Sequence, residues 1–324
     1  MRPRISVTAD PENSEFPFAA LRSWITPVQQ FYVRNHFPVP ALDPATWRLA
    51  IGTGDGVPTL SLADLEALHQ RSVVAALECA GNNRAFSPTP VRGVQWGPGA
   101  VSNGEWSGPS LLDVLAAAEA VPTDRVNARD WPVPGAHYHC TGADRGRPDG
   151  GDEVPYRRSL PRVKALDPDT LVALALNGEP LTAAHGAPAR IVAPGWYGMA
   201  SVKWLTRVEP AAAPAEDYYM TRDYTRRAMS GEQEPLDWIQ PKAQLSRPED
   251  GAVLAAGRPE IFGAAWAGAA PLAAVHVTTD HGANWAPAEL EGPVSRFGWR
   301  LWRFGWEATA GRHLLGARAT DAAG

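Results

Sequence analysis

Proline and glycine interrupt this chain along its whole length, which limits how long any helix or strand can be. The 324 residues include 31 prolines and 30 glycines, and both are spread along the sequence. Because proline removes a backbone donor and glycine favours turns, the chain is predicted to form many short elements. Its length allows two domains, each large enough to bury its own core, and no internal repeat is apparent.

Composition excludes several classes of protein. With 44% hydrophobic and 20% charged residues the chain is typical of a globular protein, and a net charge of −5 gives no footprint for nucleic acid. No apolar stretch approaches the roughly 20 residues that a membrane-spanning helix needs. Residues 1–18 contain no apolar signal-peptide core, so a cytoplasmic location is expected, or a periplasmic one if a leader has been trimmed. Two cysteines, Cys79 and Cys140, cannot form a disulfide framework or a four-cysteine zinc site.

The first 240 residues mix helical and strand-like patterns. Residues 1–40 are expected to form an irregular arm. One helix is predicted to begin after a capping box at Ser61 and to reach about Gln70, and an amphipathic helix is predicted over residues 109–120. Apolar runs predict strands over residues 73–78, 171–176 and 189–193.

From about residue 241 the helical period gives way to alternation. Residues 274–279, 280–282 and 283–285 predict a strand, a turn and a second strand, and 299–306 and 313–319 add further strands. This pattern is typical of a small β-sandwich of the immunoglobulin type. The boundary is placed in the polar stretch 233–242, which predicts domains over residues 1–237 and 238–324.

Cys79 is the first candidate for chemistry. It follows a predicted buried strand, is followed by the small residues Ala80 and Gly81, and lies five residues before Arg84. Such a thiol is either an inert core group or a thiolate whose pKa is lowered by nearby cations, acting as a nucleophile or soft metal ligand. The small neighbours would let a bulky ligand approach the backbone closely, but the local pattern leaves both interpretations open.

Two further polar clusters are candidates for binding an anion. His185, Arg190, Ser201 and Lys203 lie among glycines, and this donor set suits a phosphate, although an ordinary loop beside a solvated strand would look the same. The third cluster, residues 34–36, places Arg, Asn and His inside an apolar segment. Nucleotide-binding glycine motifs, H-E-x-x-H and C-x-x-C-H are absent from the sequence.

In this order and spacing the three clusters resemble the sulfite oxidase family of molybdopterin enzymes. The resemblance covers about residues 25–323 and is most specific in FYVRNHFPVP, ECAGNNR, GVQWGPGAVSNGEWSG, HGAPARIVAPGWYGMASVKW and TRDY. It implies an α+β fold, with a molybdopterin-binding catalytic domain followed by an immunoglobulin-like domain that often mediates dimerisation. It also implies a molybdenum–molybdopterin cofactor and oxygen-atom transfer, oxidising sulfite to sulfate and passing electrons to a separate cytochrome, another carrier or oxygen.

The resemblance assigns roles to individual positions. Cys79 would be the thiolate ligand of molybdenum. The pterin and its phosphate would be held by Tyr32, Val33, Arg34, Asn35, His36, Cys79, Asp144, His185, Arg190, Ser201, Val202 and Lys203. The substrate pocket would be lined by Arg34, Arg84, Trp96 and Tyr224, with Asp223 beside the tyrosine.

Two departures from the family pattern keep alternatives open. Asn83 stands where arginine is common, and the family's second domain normally continues past the position of Gly324, through a strand that bears another pocket arginine. Either the sequence is truncated at that point or the pocket has one cation fewer, which would favour another oxo-substrate, such as nitrate or a sulfoxide. A catalytically silent module is the remaining alternative. Cys140 and Tyr156 are expected to be structural, and His139, His276 and His281 to be surface or packing residues.

Overall fold

The computed structural model describes residues 2–118, 136–255 and 257–324, and these residues form short elements throughout. The helices among them are α1 (Leu62–Ala67), α2 (Leu111–Ala117), α3 (Arg162–Ala165) and α4 (Tyr218–Thr221). In chain order the strands are β1 (Ile5–Thr8), β2 (Asn13–Glu15), β3 (Leu49–Ile51), β4 (Thr59–Leu60), β5 (Gln70–Glu78), β6 (Val101–Pro109), β7 (His137–Gly146), β8 (Val154–Pro161), β9 (Leu171–Ala173), β10 (Ala175–Leu176), β11 (Glu179–Pro180), β12 (Arg190–Val192), β13 (Leu205–Ala211), β14 (Thr225–Arg227), β15 (Gln233–Pro235), β16 (Lys242–Arg247), β17 (Glu260–Trp266), β18 (Leu272–Thr278), β19 (Ala286–Pro287), β20 (Glu289–Glu291), β21 (Arg300–Gly305) and β22 (Gly316–Asp321). This mixture confirms the predicted α+β class.

Two larger sheets organise the N-terminal part. A five-stranded sheet has the order β4-β3-β13-β7-β8 and is antiparallel except for the parallel pair β3 and β13. Helices α1 and α2 cover it, because Leu65, Leu111 and Leu115 share one buried core with Tyr138 and Cys140 of β7. The second sheet has the order β11-β10-β6-β5, and β5 pairs with β6 along its full length up to the residue before Cys79.

The C-terminal part is a β-sandwich of a four-stranded sheet (β16-β17-β21-β20) and a three-stranded sheet (β19-β18-β22). Side chains of β17 alternate with the strand period of two. Ile261 and Ala265 pack in the core between the two sheets, whereas Phe262, Ala264 and Trp266 pack against aromatic residues of the N-terminal part. Burial on both faces of the four-stranded sheet therefore joins the sandwich to the rest of the molecule.

The predicted first helix forms but ends early. The Ser61 hydroxyl accepts from the backbone N–H of Asp64 at 3.2 Å, and the Asp64 carboxylate accepts from the N–H of Ser61 at 2.8 Å, so the capping box is present. The helix ends at Ala67 and not near Gln70, which begins β5. The Gln70 side-chain amide donates to the carbonyls of Leu65 and Leu68 at 2.8 and 2.9 Å, so it adds hydrogen bonds to the last carbonyls of the helix.

Other predicted boundaries also moved. The single strand expected over residues 171–176 is two strands in different sheets, because β9 pairs with β12 and β10 pairs with β6. Residues 1–40 are not wholly irregular, since β1 and β2 form a hairpin. The strand expected at 283–285 begins only at Ala286, because the Asp280 carboxylate accepts from the N–H of Asn284 at 2.9 Å and holds a turn there.

The remaining predicted elements are placed as follows. The helix over 109–120 is α2, but residues 119–120 lie outside the described part of the chain. The strands at 299–306 and 313–319 correspond to β21 and β22, the latter beginning at Gly316. The domain boundary falls between β15, which pairs with β14 of the N-terminal part, and β16, which is the first strand of the sandwich. Its exact position at 237/238 stays a prediction. In the part of the chain that the structure describes, every helix is too short or too polar to cross a membrane.

Candidate functional site

The three polar clusters of the sequence meet around one cavity in the N-terminal part. The empty space between its walls amounts to about 640 Å³, which includes volume open to solvent. The predicted residues that line it are Tyr32, Val33, Arg34, Asn35, His36, Cys79, Asp144, His185, Arg190, Ser201, Lys203 and Tyr224. Segments far apart in sequence therefore converge as the resemblance implied.

Cys79 lies where β5 ends and turns into a loop. Its backbone N–H donates to the carbonyl of Ala100 and its carbonyl accepts from the N–H of Asn82, both at 2.9 Å, and the thiol lines the cavity. Burial raises the pKa of the Cys79 thiol, while Arg34 and the backbone N–H of Gly81 act to lower it. The cations predicted to activate this thiol are thus outweighed by burial, and thiolate formation needs a further positive charge, such as a bound metal ion.

Arg34 and His36 meet Tyr224 on one wall of the cavity. The Tyr224 hydroxyl oxygen lies 3.4 Å from Nη2 of Arg34, which donates to it, and 2.5 Å from Nε2 of His36. Burial raises the pKa of Tyr224 to about 12, so the phenol keeps its proton at neutral pH. Burial and the charge of Arg34 lower the pKa of His36, so the imidazole is neutral and can exchange a hydrogen bond with the phenol.

Arg190 and Lys203 form a positive region at another part of the cavity. Arg190 donates to the carbonyls of His185 and Ser201 at 3.1 and 2.8 Å, and Lys203 donates to the carbonyl of Ala184 at 2.8 Å. Burial lowers the pKa of Arg190 to about 10 and also lowers that of Lys203. Among the described residues neither cation forms an ion pair with a carboxylate, so this region favours an anionic ligand.

Three buried polar atoms on the cavity wall have no hydrogen-bond partner among the described residues: Nδ2 of Asn35, Oδ1 of Asp144 and Nε2 of His185. Buried polar groups in proteins are nearly always paired, so these atoms point to a polar ligand. A donor amide, an acceptor carboxylate, two cations and a soft thiol fit the ring, phosphate and metal of a molybdopterin cofactor. The residues present therefore fit that group, with Cys79 as the metal ligand, and each individual role stays a prediction.

Four predicted residues do not line the cavity. Arg84 donates to the carbonyl of Val94 at 3.0 Å and packs beside Gly81, where a Cβ would lie 2.7 Å from its guanidinium carbon. Trp96 and Val202 are fully buried in cores. Asp223 accepts the backbone N–H of Tyr224 at 3.1 Å, so it can position the tyrosine without contacting a ligand.

The cavity also includes residues that the sequence analysis did not assign to the site: Phe31, Leu77, Ala80, Tyr156, Ala184, Gly198, Met199 and Trp204. Tyr156 was expected to be structural, yet its ring stacks on His36 with the ring centres 4.4 Å apart. Its hydroxyl donates to the carbonyl of Met199 at 2.8 Å. Nothing in the local sequence around Tyr156 marks a pocket. Its place at the cavity follows from the pairing of β8 with β7, because β7 carries Asp144.

Asn83 and Cys140 lie away from the cavity. Asn83 adopts a left-handed backbone conformation (φ 72°), which asparagine tolerates better than most residues. Its side-chain amide donates to Oε1 of Gln244 in the sandwich at 3.0 Å, so this position serves a contact between the two parts of the chain. Cys140 is buried in the core beside α1 and α2, and burial raises the pKa of its thiol to about 12.

Comparison with known proteins agrees with this geometry. Residues 36–219 match the family model described as the oxidoreductase molybdopterin binding domain. The chain is 36% identical to the mitochondrial sulfite oxidase of Mus musculus, over 90% of this chain and 56% of that protein, so it spans about half the length of such relatives. It is 32% identical to the NAD(P)H nitrate reductase of Hordeum vulgare, over 95% of this chain and 37% of that protein. The solved structure of the sulfane dehydrogenase SoxCD from Paracoccus pantotrophus matches with a TM-score of 0.83 at 27% identity, over 99% of this chain and 80% of that chain.

Proposed function

The chain belongs to the molybdopterin-binding oxidoreductases of the sulfite oxidase family, and from that membership we propose that it oxidises sulfite to sulfate. The reaction takes one oxygen atom from water and releases two protons and two electrons, which pass to a separate acceptor such as a cytochrome or oxygen. The observation that carries the proposal is the convergence of Arg34 and Tyr224 on the cavity that also exposes the thiol of Cys79.

Arg34 and Tyr224 suit an oxyanion substrate. The guanidinium is a planar, permanently charged donor, and the protonated phenol adds an uncharged donor beside it. A charge-assisted hydrogen bond contributes about 1.5–3 kcal/mol, so loss of the Arg34 charge is expected to weaken sulfite binding about tenfold or more.

The other polar residues of the cavity would hold the cofactor. When bound, molybdenum–molybdopterin supplies oxygen-atom transfer and accepts the two electrons. Cys79 would bind the metal, Arg190 and Lys203 would bind the phosphate, and the unpaired atoms of Asn35 and Asp144 would bind the pterin. The residues of the chain would therefore position the cofactor and the substrate and supply the electrostatic environment for the reaction.

Two observations favour other substrates of the same reaction class. The similarity to a nitrate reductase supports nitrate as an alternative, and the structural match to a sulfane dehydrogenase supports a different reduced sulfur compound. Nitrate is also an anion, so Arg34 alone does not distinguish it from sulfite.

The test uses protein produced in a host that makes molybdopterin. We would measure molybdenum by elemental mass spectrometry, together with sulfite-dependent reduction of ferricyanide and nitrate-dependent oxidation of a reduced viologen. The variants are Cys79→Ser and, as a matched control, Cys140→Ala at the other buried thiol. We expect about one metal per chain and sulfite turnover in the wild type and in Cys140→Ala, with turnover lost in Cys79→Ser.

The outcomes separate the hypotheses. Molybdenum without sulfite turnover would reject sulfite and leave the cofactor assignment intact, and turnover of nitrate would then identify the substrate class. Absence of molybdenum from wild-type protein made in a competent host would reject the enzymatic proposal as a whole.

A further inference from the structure

Arg158 is a buried arginine that lies behind the cavity wall. Only 1% of its surface is exposed, and it sits on β8 two residues after Tyr156. Its Nη1 donates to the carbonyl of Tyr219 and its Nη2 to the carbonyl of Leu236 at 3.4 Å. Its Nε is buried and has no hydrogen-bond partner among the described residues.

The charge of Arg158 has no paired counter-charge in the described part of the chain. Neutral carbonyls hold its guanidinium, and it forms no ion pair there with a carboxylate. Asp223 is the acidic group that acts on it electrostatically, and one oxygen of that carboxylate already accepts the N–H of Tyr224. A buried cation without a partner is unfavourable, so a chain that retains one gains from an anion bound nearby.

Arg158 lies beside Tyr224, which lines the cavity, so its charge is close to the space where a ligand would bind. Its guanidinium carbon lies 5.9 Å from the centre of the Tyr224 ring, while Arg34 contacts the hydroxyl of the same ring at 3.4 Å. Two guanidinium groups therefore flank one tyrosine, one beside its ring and one at its oxygen. In a protein interior a charge acts over longer distances than in water, so both contribute to the potential in the cavity.

We propose that Arg158 is a positioning residue, which holds a fixed positive charge behind Tyr224 and thereby strengthens the binding of an oxyanion in the cavity. It does not touch the substrate and acts through Tyr224 and through its field. The proposal rests on the proposed function where it takes sulfite as that oxyanion, and it is tested separately with sulfate, a tetrahedral oxyanion that needs no turnover to bind.

The neighbouring residue Arg157 supplies a matched control. It lies on the same strand, its side chain is 31% exposed, and it forms ion pairs with Asp217 and Glu209. Arg158→Gln keeps a donor for the carbonyls without the charge, Arg158→Met is a second neutral variant, and Arg158→Lys keeps the charge. Arg157→Gln removes a charge of the same kind that is already paired.

The experiment measures the dissociation constant of sulfate by isothermal titration calorimetry on metal-loaded protein, and kcat and KM for sulfite. We expect both neutral variants to weaken sulfate binding and to raise the KM for sulfite about tenfold, with kcat changed less than about threefold. Arg158→Lys should recover most of the affinity, and Arg157→Gln should stay within about twofold of wild type. Melting temperatures identify any variant that does not fold. If one of Arg158→Gln and Arg158→Met fails to fold, the comparison is made with the other.

Several results would overturn the inference. Equal sulfate affinity in wild type and a folded neutral variant would remove the role of the charge, and so would a wild type that does not bind sulfate. An equal loss in Arg158→Lys would assign the effect to the guanidinium hydrogen bonds and packing instead of the charge. If sulfite is not turned over while sulfate affinity falls as expected, the proposed substrate fails and the role of Arg158 stands.

Discussion

Lys242 of the sandwich donates a hydrogen bond at 2.8 Å to the carboxylate of Glu78, the residue directly before Cys79. Only 2% of the Glu78 surface is exposed, and its other carboxylate oxygen accepts from Nε1 of Trp266 at 2.8 Å. The loop that presents the thiol is therefore held by two side chains of the C-terminal part. This contact gives the sandwich a role in positioning Cys79 that does not depend on dimerisation.

Replacing Lys242 by Met should destabilise the fold, because it leaves the Glu78 carboxylate buried without its cation. We expect the free energy of unfolding to fall by about 3 kcal/mol, the low end for a broken buried pair, since the Lys242 side chain is 27% exposed. Urea denaturation measures the change. Glu78→Gln combined with Lys242→Met should recover much of the loss, and simple additivity of the two single variants would contradict the pairing.

Gly198→Ala should reduce cofactor loading by steric means alone. A Cβ at Gly198 would lie 2.6 Å from the Tyr32 hydroxyl and 3.3 Å from the Glu78 carbonyl, so the cavity wall beside Cys79 would have to shift. We expect severalfold less molybdenum per chain by elemental analysis. Gly305→Ala is the control, because nothing lies within 4 Å of a Cβ there, and equal loading of the two variants would argue against a tight fit at Gly198.

The ring of Tyr156 should contribute more than its hydroxyl to the stability of the protein and to cofactor loading. Tyr156→Phe keeps the stacking on His36 and loses one hydrogen bond to Met199, a cost of about 1 kcal/mol. Tyr156→Leu also removes the ring contact, which adds roughly 0.5–1.5 kcal/mol and leaves His36 less restrained. Denaturation curves and molybdenum content measure both effects, and a Leu variant no worse than the Phe variant would contradict this account.

The Asp144 carboxyl should destabilise the protein without cofactor at neutral pH. Burial raises its pKa from 3.8 to about 6, so the folded chain holds a proton that the unfolded chain has lost between these values. The stability of wild type relative to Asp144→Asn should therefore fall as the pH rises from about 4 to 6 and then level off, by about 3 kcal/mol in total. Both proteins would be made in a host without molybdopterin, and their free energies of unfolding would be measured at pH 4, 5, 6 and 7. A difference between the two proteins that stays constant with pH would disprove the raised pKa.

Features that depend on neighbours in sequence were predictable. The capping box at Ser61 needs only residues three apart, and the alternation of apolar residues in β18 marks its strand. The order of the motifs around Arg34, Cys79 and His185 indicated the family and most of the cavity, because most of the residues that line it lie in short runs of the sequence. The end of the first helix was missed because the Gln70 side chain competes for its last carbonyls.

Only the tertiary structure decided which residues far apart in the chain are in contact. The sequence by itself determined the sandwich, since short-range alternation and turn residues carry it. The resemblance of its motifs to a known family implied the α+β class and the candidate thiol. The sequence did not place Tyr156 on His36, Lys242 on Glu78 or Arg158 behind Tyr224. Those pairings arise only when separate strands and loops pack together, and burial then sets the pKa values and unpaired charges that define the site.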